Sequence, residues 1–214
     1  MINKQGIWIV QRYSRAYSST AMSIVNLESL TDRQSELRDN LLALCLTEGF
    51  IGFTLDQLAA RLGCSKRTLY ALADSKEQLA TSVVRLFFRR ATEQVEATLA
   101  DLDSPAARVS GYLIAVAEAL RPASRQFLAD LARLAPTRAI YLENTSAAAA
   151  RVRSLLDEGT AAGAFRSVQA DFVAEVVTAT MQRIGSGQVQ SNTGLDDAEA
   201  YAQLAQLVLA AVRP

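Results

Sequence analysis

From Asp32 onward the apolar residues recur with the period of an α-helix, and nowhere do they alternate with period two for long enough to make a sheet. That feature confines the chain to an all-α fold. Leu37, Leu41, Leu44 and Cys45 fall at i, i+4, i+7 and i+8, a stripe that has to face a core. Gly49 ends this first helix. Thr54-Leu-Asp-Gln57 is a capping box: the Thr54 oxygen takes an N3 amide while Gln57 reaches back. Leu55, Leu58, Ala59 and Leu62 give the next helix a short apolar face, and Gly63 stops it. Ser65 is placed to cap a third short helix, Lys66 to about Leu72. Ser75-Lys-Glu-Gln78 repeats the capping box and opens a long helix to about Leu99.

No proline precedes Pro105; Pro105, Pro122 and Pro136 then each sit near a helix start, where the missing N–H costs nothing. The remaining helices are expected at 105–121, 122–134, 136–161, 169–189 and 196–212. Gly159, Gly163 and the cluster from Gly185 to Gly194 punctuate the last of them.

Composition narrows the function. The chain has 214 residues, 50% of them hydrophobic, enough for one or two small domains. Lys and Arg number 22 and Asp and Glu 22, so a nucleic-acid partner has to be argued from local placement. There is no histidine, which excludes His-based triads and His metal sites. Cys45 and Cys64 make no disulfide framework and fit a reducing compartment. No stretch approaches the roughly 20 apolar residues that span a bilayer. The run from Ile7 to Val10 is shorter than the roughly 7–15 residues of a secretory h-region, so the protein is expected in the cytoplasm. No cofactor and no metal is expected.

Residues 1–31 carry no helical period until about Met22 and read as a disordered N-terminal extension. Two alternatives stand beside that: a basic arm touching DNA through Arg12 and Arg15, or translation beginning at Met22.

Two short helices joined by Leu62-Gly63-Cys64-Ser65, behind a longer one, make a three-helix unit with a helix-turn-helix. The turn needs a residue that tolerates positive φ, which Gly63 supplies. The third helix would enter a major groove by its N-terminal end, presenting Ser65, Lys66, Arg67 and Thr68. Arg67 offers a bidentate donor, Lys66 an ammonium, and the two hydroxyls finer contacts. Arg61 adds to this local basic cluster. Cys64, just before a helix N-terminus, is either a small turn residue or a thiol poised to ionise.

The run from Thr54 to Tyr70, followed by Asp74-Ser-Lys-Glu-Gln-Leu79, resembles the signature of the tetracycline-repressor (TetR) family of regulators over about residues 32–80. Ala73 and Leu72 stand where that family usually has an aromatic, with His or Tyr beside it. Leu156-Asp-Glu-Gly-Thr-Ala-Ala-Gly-Ala-Phe-Arg166 resembles the family's turn into its penultimate helix. The resemblance implies that Thr54, Tyr70 and Lys76 contact phosphates. It also implies that residues 81–214 form a helical ligand-binding and dimerisation domain whose last two helices pair as a four-helix bundle. For that body Tyr112, Phe127, Tyr141 and Met181 are candidates to line a ligand cavity. Phe172, Val176, Val177, Ala179, Leu204, Leu207 and Val208 are candidates for the dimer interface.

The expected partners are therefore double-stranded DNA with a palindromic operator, a small-molecule effector and a second copy of the chain, without a membrane. Two other classes compete. An enzyme would need a nucleophile elbow, a phosphate loop or metal-ligand spacing, and none is present; the pairs Asp157-Glu158 and Asp196-Asp197 are adjacent and diverge around a helix. A protein-interaction module with a non-DNA-binding head stays open because the head is neutral.

Overall fold

The computed structural model describes residues 31–214, so the readings placed on Arg12, Arg15 and Met22 lie outside the described residues. Ten helices follow one another and no strand occurs among the described residues. They are α1 Asp32–Glu48, α2 Leu55–Arg61, α3 Lys66–Tyr70, α4 Lys76–Ala100, α5 Pro105–Leu120, α6 Arg125–Arg133, α7 Ala135–Ala161, α8 Ala170–Gly185, α9 Gln188–Thr193 and α10 Asp197–Val212. None is long and apolar enough to cross a membrane.

Caps set the helix starts. Thr31, Thr54 and Asp196 each close a full capping box, and Ser65, Ser75, Ser104 and Ser124 accept an amide three residues on. Pro105 and Pro136 lie in first turns as expected. Pro122 does not: Ala123 closes a turn back to Leu120, and Ser124 rather than Pro122 starts α6. The helix expected over 169–189 breaks at Gly185. Gly187 turns at φ 76° and a separate short helix, α9, runs to Gly194. The third helix is shorter than expected, because Ala71 and Leu72 form a turn rather than continuing it.

Two cores form. The head core joins Leu41, Cys45, Leu58, Leu69 and the first half of α4. It also takes Phe127 and Leu131 from α6 and Ile140 from α7. The body core packs the second half of α4 with α5, α7, α8 and α10 around Leu113, Leu156 and Val177. α4 runs through both cores, and α6 with the start of α7 brings body residues into the head core.

Candidate functional site

The head presents the ends of α2 and α3 together. Thr54 N donates to Gln57 Oε1 at 2.8 Å, and Gln57 N donates to Thr54 Oγ1 at 3.2 Å. Gly63 adopts the predicted positive φ, 62°. Leu58 and Leu69 are buried and pin the two short helices to the head core. Leu72 is also buried there, beside the partly buried Ala73 that stands where the resembled family has an aromatic.

At the start of α3, Ser65, Lys66 and Arg67 are exposed and Thr68 is half-buried, and the four are unequally free. Ser65 Oγ accepts the Thr68 amide at 3.1 Å and lies 2.7 Å from Thr68 Oγ1, so the two hydroxyls are engaged with each other. Lys66 Nζ reaches Asp56 Oδ2 of α2 at 3.1 Å. Arg61, counted in the basic cluster by sequence, instead pairs with Glu48 and lies over the Phe53 ring. Arg67 is exposed and has no acidic partner among the described residues. Tyr70 is 44% exposed, a high value for a large side chain in this head, so its phenol is accessible on the same short helix. Lys76 is only half free: its ammonium donates to the Ile51 carbonyl at 2.7 Å. Burial pushes the Cys64 thiol up from its ordinary value, which opposes the thiolate that a redox role would need.

Behind the head lies a cavity of about 930 Å³, within the range of small-molecule sites. Of the four candidates for a ligand cavity, Tyr112, Tyr141 and Met181 stand in its wall. Phe127 does not. It is fully buried between head and body, edge-on to Phe50 at 5.8 Å and to Phe87 at 5.3 Å. An aromatic on an apolar helix face has the same periodicity whether it meets a void or a neighbouring ring, so the sequence did not separate the two. The cavity exists partly because small residues face it, including Ala117, Ala129, Ala147 and Ala148.

Sequence reasoning missed three polar side chains in that wall. Glu96 and Arg151 form a two-pronged ion pair, Nε and Nη2 each at 2.9 Å from a carboxylate oxygen. Arg151 Nη1 also lies 3.6 Å from Glu158, which takes Arg108 at 2.5 Å. Tyr201 is buried and lines the cavity; burial, with Tyr141 and Asp197 nearby, holds its hydroxyl above the usual phenol range. Burial raises Tyr141 as well, so both phenols stay neutral hydrogen-bonding groups.

A fourth residue, Asp130 of α6, was also missed. It is fully buried, and its Oδ2 accepts the amides of Phe50 at 2.7 Å and Ile51 at 2.9 Å. The signal in the sequence was an acid lying on the apolar stripe Phe127, Leu131, Leu134.

The candidate interface residues divide in two. Phe172, Val176, Ala179 and Leu207 are exposed on α8 and α10, Phe172 by 69% and Leu207 by 68%. Val177, Leu204 and Val208 are buried in the protomer's own body core, which corrects their assignment to the interface.

With this geometry in view, comparison with solved structures gives one fold. A transcriptional regulator from Saccharomonospora viridis, crystallised with choline, superposes with a TM-score of 0.73 at 15% identity, covering 86% of this chain and 100% of its own. PfmR, a TetR-family regulator from Thermus thermophilus, gives 0.63 at 20% identity over 81% and 97%. AibR, solved with isovaleryl coenzyme A and operator DNA, gives 0.61 at 18% over 82% and 97%. The chain has the fold of the TetR-family transcriptional regulators. In sequence, an uncharacterised HTH-type transcriptional regulator of Bacillus subtilis, YvaF, is 46% identical over 57 residues. That match spans 27% of this chain and 29% of YvaF. No family model matches.

Proposed function

We propose that the protein is a cytoplasmic, non-enzymatic DNA-binding regulator of the TetR type, a dimeric repressor released from a palindromic operator by a small molecule. Residues 32–80 serve as the reader and 81–214 as the sensing and dimerising body. The observation that carries this is the exposed N-terminal end of α3, with an uncommitted Arg67 guanidinium beside the capped end of α2. Helix N-termini and basic side chains fix a protein on phosphates, while a free guanidinium can take guanine O6 and N7 together. Thr54, Ser65, Lys66, Thr68, Tyr70 and Lys76 supply the remaining contacts. The fold neighbour AibR, solved with operator DNA and an acyl coenzyme A, supports a reader coupled to an effector site.

The mostly apolar cavity, with Tyr112, Tyr141 and Met181 in its wall, favours an effector with an apolar body and few polar groups. Such a ligand releases DNA only by binding the DNA-free arrangement more tightly.

The test is binding to DNA flanking the protein's own gene, by fluorescence anisotropy across a salt series, beside a Lys66→Ala/Arg67→Ala double variant. Saturable binding that weakens with salt and collapses in the variant upholds the reading, because phosphate contacts release counterions. Binding without salt dependence would point instead to a protein-interaction module.

A further inference from the structure

We infer that the Tyr201 hydroxyl is the hydrogen-bond anchor of the body cavity, and that the molecule it takes is uncharged, mostly apolar and carries a carbonyl oxygen, as a ketone, ester or lactone does. The inference rests on the ligand-responsive reading of that cavity and gives its ligand a chemical class.

The apolar stripe of α10 places Tyr201. Tyr201, Leu204, Ala205, Val208 and Val212 recur with helical spacing and are all buried. From Leu204 onward the stripe packs into the body core; at Tyr201, one turn into the helix, it meets the cavity. The phenol is only 3% exposed, and its hydroxyl takes no hydrogen bond among the described residues. A buried donor without an acceptor is costly, and a ligand that supplies the acceptor recovers that cost.

Most other hydroxyls in the wall are already used. Thr145, Thr178 and Ser186 each donate to a carbonyl one turn back in their own helix. The Tyr112 hydroxyl reaches the Ala148 carbonyl at 3.5 Å. Tyr201 is the deeply buried exception.

The charges of the wall argue against an ionic ligand. Arg151 is the buried cation, and it is matched by Glu96 through two contacts of 2.9 Å and by Glu158 at 3.6 Å. An entering carboxylate would find that cation satisfied, and it would add a negative charge near Asp197, whose field already reaches Tyr201. Arg121 is 77% exposed and pairs with Glu118 at 3.0 Å. Asp197 is exposed and sits in the first turn of α10, where the helix N-terminus stabilises its charge, so an ammonium gains little there. Burial, with Tyr141 and Asp197 adding to it, keeps the Tyr201 proton in place. The matching group is a neutral acceptor, and a carbonyl oxygen brings no charge to desolvate.

The test is displacement of fluorescent N-phenylnaphthylamine, an uncharged apolar probe, from the full chain without DNA at pH 7. Methyl octyl ketone, decanoate and decyltrimethylammonium, of equal chain length, are the competitors. The ketone is expected to displace the probe at the lowest concentration. Tyr201→Phe, which removes only the hydroxyl, is expected to raise the ketone midpoint about fivefold and to leave the other two where they were. Asp197→Asn is expected to keep the ketone first. Decanoate or decyltrimethylammonium acting at or below the ketone's concentration overturns the inference. So does a ketone midpoint unmoved by Tyr201→Phe, an equal shift for all three competitors, or a wild type that takes up no probe. Should Tyr201→Phe not fold, the wild-type order and its persistence in Asp197→Asn decide the matter. DNA takes no part in the measurement, so loss of this ligand class and loss of the DNA-reader reading are separate outcomes.

Discussion

The Lys66 ammonium lies 3.1 Å from the Asp56 carboxylate, so α3 carries one basic side chain already paired and one, Arg67, that is not. Exposed pairs of this kind contribute little to stability, but on the proposed function they lower the charge offered to DNA. Arg67→Ala is therefore expected to weaken operator binding by about tenfold or more, the scale of one bidentate base contact, and to relax sequence preference. Lys66→Ala is expected to cost less. Asp56→Asn should tighten binding to any DNA and steepen its salt dependence, because a released ammonium displaces one more counterion. Anisotropy titrations of the three variants on operator and random duplexes rank these effects. Equal losses for Lys66 and Arg67 would contradict the assignment.

The Glu96–Arg151 pair in the cavity wall makes a different kind of prediction. Both side chains are largely buried, at 20% and 10% exposed. Arg151→Met strands Glu96 and leaves Glu158 with Arg108 as its remaining cation, an uncompensated charge on Glu96 worth about 3–5 kcal/mol of destabilisation. Replacing both partners with Met removes the stranded charge and is expected to recover most of that loss. Urea midpoints at pH 7 measure it. A double variant no better than the single would mean that packing rather than charge dominates at this site.

What was legible in the chain was local. Thr54, Ser65 and Ser75 announce their helices because a capping side chain bonds an amide three residues away, and Gly63 announces its turn through positive φ alone. Tyr112, Tyr141 and Met181 line the cavity and Phe127 does not, a distinction set by what stands opposite each helix rather than by periodicity. Val176 and Val177 are neighbours in sequence but roughly 100° apart around α8, one exposed and one in the body core. Asp130 acquires its meaning only from Phe50 and Ile51, about eighty residues earlier in the chain. The cluster from Gly185 to Gly194 was visible as punctuation, yet the expected helix ran on to 189, because Gln188–Thr193, with Val189 its one apolar residue, carries no period that marks α9 as a separate helix.

Cys45 gives a pH prediction. Burial, with the Asp130 carboxylate adding to it, pushes its thiol up to about 12 from an ordinary 9.0. The folded thiol thus keeps its proton where the unfolded one gives it up. The stability it contributes is whole below pH 9 and is lost as pH rises toward 12, by up to about 1.4 kcal/mol per pH unit. Cys45→Ala removes this term. The wild type should lose on the order of 1 kcal/mol more than Cys45→Ala between pH 9 and pH 10 in urea unfolding. Parallel pH profiles would show that Cys45 titrates normally in the fold.

Exposed and buried apolar residues alternate on α8 and α10, where helical periodicity alone merged them. Phe172 and Leu207 are large, apolar and mostly exposed, the kind of surface that a second copy covers in a two-fold contact. Introducing charge there, as Phe172→Glu with Leu207→Glu, should yield a folded monomer with wild-type helix content, because neither side chain supports the protomer's own core. Leu204, 5% exposed one turn away, should behave oppositely: Leu204→Ala costs about 2–5 kcal/mol of stability and leaves the mass in solution unchanged. Sedimentation equilibrium at micromolar concentration, paired with urea unfolding, reads both. A wild type that is already monomeric would remove α8 and α10 as a dimer face. It would also leave a palindromic operator without the two-fold partner that its half-site spacing requires.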